Sequence, residues 1–389
     1  MSAVKTAVDM MRINSIKETY IMIKEHLTCG FIGLGLIGGS IAKALRQTYP
    51  DSRLIAYDIK TESTALAVKE GVLNLSLSQI NESFSDCDYI FLCAPVSFND
   101  ENLLKIKQYL SPHCLLTDVG SVKTDIHRHI EALGLNSCFI GGHPMAGSER
   151  TGYVNSKALL LENAYYILTP TTEVPKEKLD DYKKLVSSLG ALPLVLTYEQ
   201  HDYVTAAVSH LPHVIAASLV NLIRESDSDE GIMKLIAAGG FKDITRIASS
   251  SPHMWQQICM TNTENIASLL DSYITSLQKI RAQISHREEK PVYDFFQEAR
   301  SYRDSFIDAS SGPIKISYSI NIEIADEPGA LASIATILAL NHISIKNIGI
   351  VHNREQEDGV LRIEFYGAES IEDAKRILIP KGYIIHEKG

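Results

Sequence analysis

The sequence is poor in cysteine, has a single tryptophan, and shows neither a long apolar run nor an excess of positive charge. Its six cysteines, Cys29, Cys87, Cys93, Cys114, Cys138 and Cys259, form no CxxC pair. Several sit in apolar runs that read as strands, so buried free thiols in a reducing compartment are expected. No stretch offers the ~18 uninterrupted apolar residues of a membrane span. The N-terminus lacks the apolar core, about 7–15 residues long, of a signal peptide. The cytoplasm is therefore the expected location. A formal net charge of −10 argues against nucleic acid or an anionic membrane as partner. It leaves room for a small acidic substrate held by a few local Arg, Lys or His side chains.

What is present is enough chain for two or three domains: 389 residues are too many for one ordinary core. Residues 1–26 are mixed in character, and no function is assigned to this N-terminal extension. From Leu27 to about Pro170, short apolar runs alternate with helical patterns. Leu27–Ile32, Arg53–Tyr57, Tyr89–Cys93, Cys114–Thr117 and Cys138–Gly141 read as buried strands, with Tyr165–Leu168 as one more. Gly39–Gln47 and Thr64–Glu70 read as helices between them. This is the alternation of an α/β, doubly wound parallel sheet, expected over 27–172.

After Leu194–Leu196 helical periodicity dominates, and 173–309 is expected to be an all-α second domain. His201–Ile223 and Trp255–Ile284 read as long helices, the first kinked at Pro212. A short helix and then a linker at Ser310-Ser311-Gly312-Pro313 should follow. Within 314–389 the order becomes βαββαβ: Ser317–Ile324, Ala330–Asn341, His342–Val351, Gly359–Phe365, Ile371–Leu378 and Tyr383–Glu387. That order predicts a ferredoxin-like α+β unit.

Gly33-Leu34-Gly35-Leu36-Ile37-Gly38 follows the first strand and opens a helix. In this context GxGxxG predicts a dinucleotide site. The first glycine permits a tight turn, the second lets the backbone approach a pyrophosphate, and the third allows close helix–strand packing. Asp58 ends the second strand, where a carboxylate accepts both ribose hydroxyls. It favours NAD over NADP, a preference that nearby Lys60 softens. Cys93-Ala94-Pro95-Val96 closes another strand at the edge where a cofactor lies. A soluble dinucleotide-dependent dehydrogenase is the expectation these residues carry.

Four downstream segments occur in order: Asp118-Val119-Gly120-Ser121-Val122-Lys123, Gly142-His143-Pro144-Met145-Ala146-Gly147-Ser148-Glu149, Ser209-His210-Leu211-Pro212-His213 and Phe241-Lys242-Asp243-Ile244-Thr245-Arg246-Ile247-Ala248. Over about residues 27–290 the chain resembles the prephenate dehydrogenase family. The C-terminal segment resembles an ACT domain, a small-molecule-sensing module. The resemblance implies oxidative decarboxylation of prephenate to 4-hydroxyphenylpyruvate with NAD(P), in tyrosine biosynthesis.

Such a substrate needs an acceptor for its C4 hydroxyl proton and cationic partners for two carboxylates. His143 is the expected acceptor, since neutral imidazole takes a proton near neutrality. Ser121 is expected to bond the hydroxyl or the nicotinamide, with a helix N-cap as its other use. Arg246 should clamp a carboxylate through its planar fork, or pair with Asp243. His213, by resemblance, donates to the substrate side chain. His210 is either structural or functional. No third ligand accompanies these two histidines, so no metal is expected. Ser148 and Glu149 match positions near the pocket entrance, and Trp255 either walls the pocket or packs a helix.

Asp326-Glu327-Pro328-Gly329-Ala330-Leu331 matches the ACT ligand loop, which implies an amino-acid effector, with tyrosine as the hypothesis. A homodimer centred on the helical domain is expected. The alternatives are an arogenate dehydrogenase on the same scaffold, a hydroxyacid dehydrogenase with a helical second domain, and a non-catalytic nucleotide sensor.

Overall fold

The computed structural model describes residues 27–95, 98–147, 150–309, 318–324, 327, 329–351, 359–365 and 367–386. The chain divides into two compact units, one ending at Ser276 and one beginning at Leu277.

The first unit opens on an α/β layer built from β1 (Thr28–Ile32), α1 (Leu36–Thr48), β2 (Arg53–Tyr57), α2 (Thr61–Lys69), β3 (Leu75–Leu77), β4 (Tyr89–Leu92), α3 (Asn99–Ile106), β5 (Leu115–Asp118), α4 (Thr124–Ala132), β6 (Phe139–Pro144), β7 (Tyr165–Pro170), α5 (Lys176–Ser188) and β8 (Leu192–Val195). The strands form one sheet in the order β3-β2-β1-β4-β5-β6-β7-β8. The order reverses between β1 and β4, so a crevice opens beyond the carboxyl ends of these strands, where ligands of such sheets bind.

Both faces are covered, which explains why the strands read as continuous apolar runs. Cys29, Phe31, Leu54, Ala56 and Leu115 pack on one side with Ile41, Leu45 and Leu185. Ile55, Ile90, Leu92 and Leu116 pack on the other with Leu103, Ile106, Ile126 and Ile130. Phe31 and Phe91 are register partners across β1 and β4. Their rings stack at 5.1 Å, a contact that contributes about 0.5–1.5 kcal/mol beyond burial.

The expected sheet needs three corrections. It is mixed rather than wholly parallel, because β7 runs antiparallel to β6 and parallel to β8. It runs past residue 172, through α5, to Val195, because β8 pairs with β7. It also contains β3, whose three residues are too few to show a period.

A helical segment follows: α6 (Tyr198–Thr205), a π-helical turn (Ala206–His210), α7 (Leu211–Ser226), α8 (Ile232–Ile236), α9 (Gly239–Thr245), α10 (Pro252–Thr261) and α11 (Thr263–Ser285). The Thr197 hydroxyl and the Gln200 side chain cap α6 reciprocally. The expected kink at Pro212 is realised as the wide turn before it: proline lacks the N–H that a regular turn would use there. By length and composition alone, Tyr198–Ser226 is apolar enough to cross a membrane. Yet His201, Asp202, Thr205 and His210 within it are buried polar residues, while Val204, Val208 and Leu222 are exposed. The second expected long helix is interrupted at Asn262, whose side-chain amide donates to the Asp202 carbonyl at 2.8 Å.

The second unit takes in α11 from Leu277 onward and contains α12 (Glu289–Ala309), 21 residues long where a short helix was expected. The expected linker at 310–313 lies outside the described residues. Then come β9 (Tyr318–Ile324), α13 (Ala330–Leu340), β10 (Ile345–Val351), β11 (Gly359–Phe365), α14 (Ala368–Leu378) and β12 (Ile385–His386). The four strands are antiparallel in the order β10-β11-β9-β12, which is the ferredoxin-like arrangement. Ile320, Ile322, Leu361 and Ile363 bury one sheet face against Ile334, Leu338, Ala374 and Leu378.

Candidate active site

The glycine loop lies at the carboxyl end of β1. Gly33 has φ +92°, and a Cβ there would stand 2.5 Å from the Ala94 nitrogen. The loop is thus seated directly on Cys93 and Ala94, the residues after β4. At Gly38 a Cβ would meet the Cys93 Cβ at 2.9 Å, so the third glycine serves packing. At Gly35 it would meet nothing among the described residues within 4 Å. The N-terminus of α1 has no side-chain cap and no acidic residue in its first turn. An open position beside uncapped N–H groups suits a phosphate, which the helix dipole also favours. Three residues of the motif serve otherwise. The Leu34 side chain is fully buried in the core, and its N–H donates to Asp58 Oδ2 at 2.6 Å. Leu36 and Ile37 open α1 and are half-buried.

Asp58 therefore braces the loop, and its Oδ1 also accepts the Lys60 N–H at 2.7 Å. Carboxylate oxygens keep further lone pairs for ribose hydroxyls. Taken together, the loop, the uncapped helix and Asp58 fit a dinucleotide. Burial, aided by Asp118 and Asp58, pushes the Cys93 thiol far up, so it remains protonated. Pro95 is exposed, and Val96 lies outside the described residues.

A polar cluster occupies the ends of β5 and β6. Asp118 ends β5 and is 1% exposed; Lys123, fully buried, pairs with it. Asp118 also accepts the N–H groups of Gly120 and Gly142, at 2.8 and 3.2 Å, tying the loop after β5 to β6. Burial lowers the Lys123 ammonium against the opposing pull of Asp118. Ser121 is half-buried in this loop. It is not the N-cap of α4, which starts at Thr124. Asp202, from α6, accepts the N–H groups of Lys123 and Thr124, each at 2.8 Å, and fills that role.

His143 lies within β6, not after it as expected, opposite Ile167 of β7. Its Nδ1 is 2.8 Å from Nε2 of His201. His201 Nδ1 is in turn 2.7 Å from Asp202 Oδ1. Burial disfavours the charged Asp202, but hydrogen bonds from His201, Thr124 and the two backbone N–H groups outweigh it and hold the carboxyl below its usual range. His143 is partly exposed. Burial of its ring, with His201, Lys123 and His210 adding to the effect, pushes its pKa well down. It is therefore neutral at pH 7.

His210 and His213 do not act as a pair. His210, in the π turn, is 1% exposed and meets the Asn262 side chain at 3.2 Å. Burial lowers its pKa to about 4. His213 donates Nδ1–H to the Ser209 carbonyl at 2.9 Å and stacks on Trp255 with ring centroids 3.7 Å apart. The expected donation to a substrate is thereby qualified: with Nδ1 so engaged, the neutral ring can only accept at Nε2, and it donates there only as imidazolium. Burial, together with nearby Arg246, lowers its pKa. Arg246 is exposed at the end of α9. Trp255 Nε1 is buried with no hydrogen-bond partner among the described residues, a donor that a bound acceptor would satisfy. Ser148 and Glu149 lie outside the described residues.

The site thus contains residues that the sequence reading did not single out: His201, Asp202 and Asn262. His201-Asp202 stands just inside the helix capped by Thr197, but nothing local distinguishes it from an ordinary helix start.

In the second unit Gly329, φ +96°, caps α13, and no atom of the described residues would meet a Cβ there within 4 Å. Ala330 N–H reaches the Glu327 carbonyl at 3.3 Å. Leu331 is exposed. Asp326 and Pro328 lie outside the described residues.

Residues 41–194 match the family model of the prephenate dehydrogenase nucleotide-binding domain, and residues 197–298 that of the prephenate dehydrogenase dimerization domain. Prephenate dehydrogenase of Bacillus subtilis is 36% identical over 369 residues, covering 94% of this chain and 95% of its own. A crystal structure of prephenate dehydrogenase from A. aeolicus in complex with hydroxyphenyl propionate and NAD+ superposes with a TM-score of 0.68 at 33% identity, covering 72% of this chain and 98% of that one. A crystal structure of Synechocystis arogenate dehydrogenase gives 0.65 at 30% identity, covering 72% and 100%. This chain belongs to the prephenate dehydrogenase family.

Proposed function

We propose that the chain oxidises and decarboxylates prephenate to 4-hydroxyphenylpyruvate with NAD, using His143 as the proton acceptor. The observation that carries this reading is the line Asp202–His201–His143, which leaves a neutral imidazole at the carboxyl end of β6, on the crevice side of the sheet. NAD held by the glycine loop, the uncapped start of α1 and Asp58 would supply the acceptor for the hydride that leaves C4. His143 takes the hydroxyl proton as C4 becomes a carbonyl. The bond from the ring to its carboxylate then breaks, CO2 leaves, and the electron pair aromatises the ring. His143 returns its proton to the resulting phenolic oxygen. Atoms and charge balance with one proton borrowed and repaid. Ser121 orients the hydroxyl. Arg246 and protonated His213 hold carboxylate, and Trp255 Nε1 finds its acceptor in the bound substrate.

A specific observation favours a second substrate. Neutral His213 presents an acceptor at Nε2, which suits the ammonium of arogenate better than the keto acid of prephenate. Steady-state rates with both substrates, and with NAD and NADP, decide the matter. The proposal expects prephenate with NAD to be turned over with the higher kcat/KM. No turnover of prephenate defeats it.

The apolar outer face of α6 and α7 lies within the matched dimerization domain, which supports a homodimer. For the second unit the reading is an ACT domain that binds an amino acid at Glu327, Gly329, Ala330 and Leu331, with tyrosine as feedback inhibitor. Open space at Gly329 and a helix N-terminus behind it support that reading. Saturating tyrosine should lower activity or shift the melting temperature, and no change in either defeats it.

A further inference from the structure

We infer that His201 is a positioning residue that, held by Asp202, sets the tautomer of His143 so that Nε2 is the basic nitrogen. Ionised Asp202 only accepts, so the proton between it and His201 sits on His201 Nδ1. Neutral His201 then carries a lone pair on Nε2. Across the 2.8 Å contact His143 must donate, so its Nδ1 is protonated. One nitrogen of His143 remains, Nε2, with its lone pair free to accept a proton.

The Asp202 carboxylate is itself fixed by the Lys123 and Thr124 N–H groups, so the orientation is anchored in the backbone at the start of α4. His201 and Asp202 are both wholly buried, so water does not compete for these bonds. When His143 becomes an imidazolium, its Nδ1–H keeps an acceptor, and the carboxylate two bonds further along stabilises the charge. The other charged and titratable groups facing the two rings are Lys123, Asp118 and His210. A mere packing role would use none of this polarity.

The inference about rate rests on the proposed reaction; the inference about tautomer does not. The test therefore has two arms. Nitrogen NMR of the histidine-labelled, substrate-free full chain should show His143 protonated at Nδ1 and unprotonated at Nε2, and should show that preference lost in His201→Phe. In turnover, His201→Phe should lower kcat by roughly 10²-fold or more with KM and NAD affinity within about threefold. His201→Gln, whose side-chain oxygen can accept from His143, should recover about tenfold of that loss. The opposite tautomer in the wild type overturns the inference. So does His201→Phe with unchanged kcat, or a His201→Gln variant no faster than His201→Phe. If the tautomer is as stated but wild-type protein does not turn over prephenate, the proposed substrate fails and the positioning role of His201 stands.

Discussion

His213 lies flat against Trp255, their ring centroids 3.7 Å apart, and Trp255 is the only tryptophan in the chain. The stack makes the indole a reporter of the charge on His213. A substrate carboxylate favours the imidazolium, and a cation over the indole alters its emission. Prephenate should therefore change the tryptophan fluorescence saturably, and His213→Leu should abolish the change. The same variant should raise KM by about tenfold or more, the value of one charge-assisted hydrogen bond. Because the free His213 pKa is lowered from 6.5, binding takes up a proton. Prephenate affinity should then weaken as pH rises through the pKa of the complex, whereas His213→Leu should bind with little dependence on pH.

The glycine loop separates folding from cofactor binding. Gly35→Ala adds a methyl into open space. The melting temperature should stay close to that of the wild type, while the KM for NAD rises by about tenfold or more from the lost phosphate contact. Gly38→Ala forces the new methyl onto Cys93 and the Gly33 carbonyl, and should cost about 1–3 kcal/mol of stability. Urea unfolding of both variants, followed by NAD titration, distinguishes the two effects.

Buried Asp118 and Lys123 form a pair whose separation is expensive. Asp118→Asn removes the paired counter-charge of a buried ammonium, leaving only the more weakly coupled Asp202, and should destabilise the protein by about 3–5 kcal/mol. Lys123→Met on top of it should recover part of that loss. A double variant no more stable than the single one would remove the pair from the account. Chemical denaturation of both measures it.

Buried His127 and His210 make stability fall in mild acid. Each has a folded-state pKa pressed to about 4 by burial, from 6.5. The unfolded chain therefore binds more protons between these values. The stabilising contribution is complete above pH 6.5 and is lost as pH falls towards 4. The melting temperature should drop over that window, and His127→Phe should shallow the slope. His127 lies 2.9 Å from the Thr169 hydroxyl and stacks on Tyr198, so its packing is largely kept by phenylalanine.

The parts of this molecule visible in its sequence are those with local signatures. Gly33 and Gly38 answer backbone constraints that act within a few residues, and Phe31 and Leu54 belong to apolar runs that any buried strand must have. The β-α-β-β-α-β order of the C-terminal unit shows in the period-two run Ser317–Ile324. Asp202 and His201 have no such trace. Their meaning comes from contacts with Thr124 and His143, 78 and 58 residues away. The N-cap use open to Ser121 falls instead to Asp202, which arrives from α6 and which no local pattern reveals. β3 is too short to have a period, and the antiparallel course of β7 depends on what it pairs with, not on its residues. His213 sits in a run that reads as helix, but which of its nitrogens stays free is decided by the Ser209 carbonyl, a contact that no sequence period specifies.

The central claim, that a hydride leaves C4 of prephenate while His143 takes the hydroxyl proton, is tested most directly with prephenate deuterated at C4. The account predicts one deuterium in the reduced nicotinamide for each CO2 released, and a His143→Asn variant that binds NAD normally but turns over about 10²-fold or more slowly. Reduced nicotinamide free of deuterium, or undiminished turnover by His143→Asn, would contradict it.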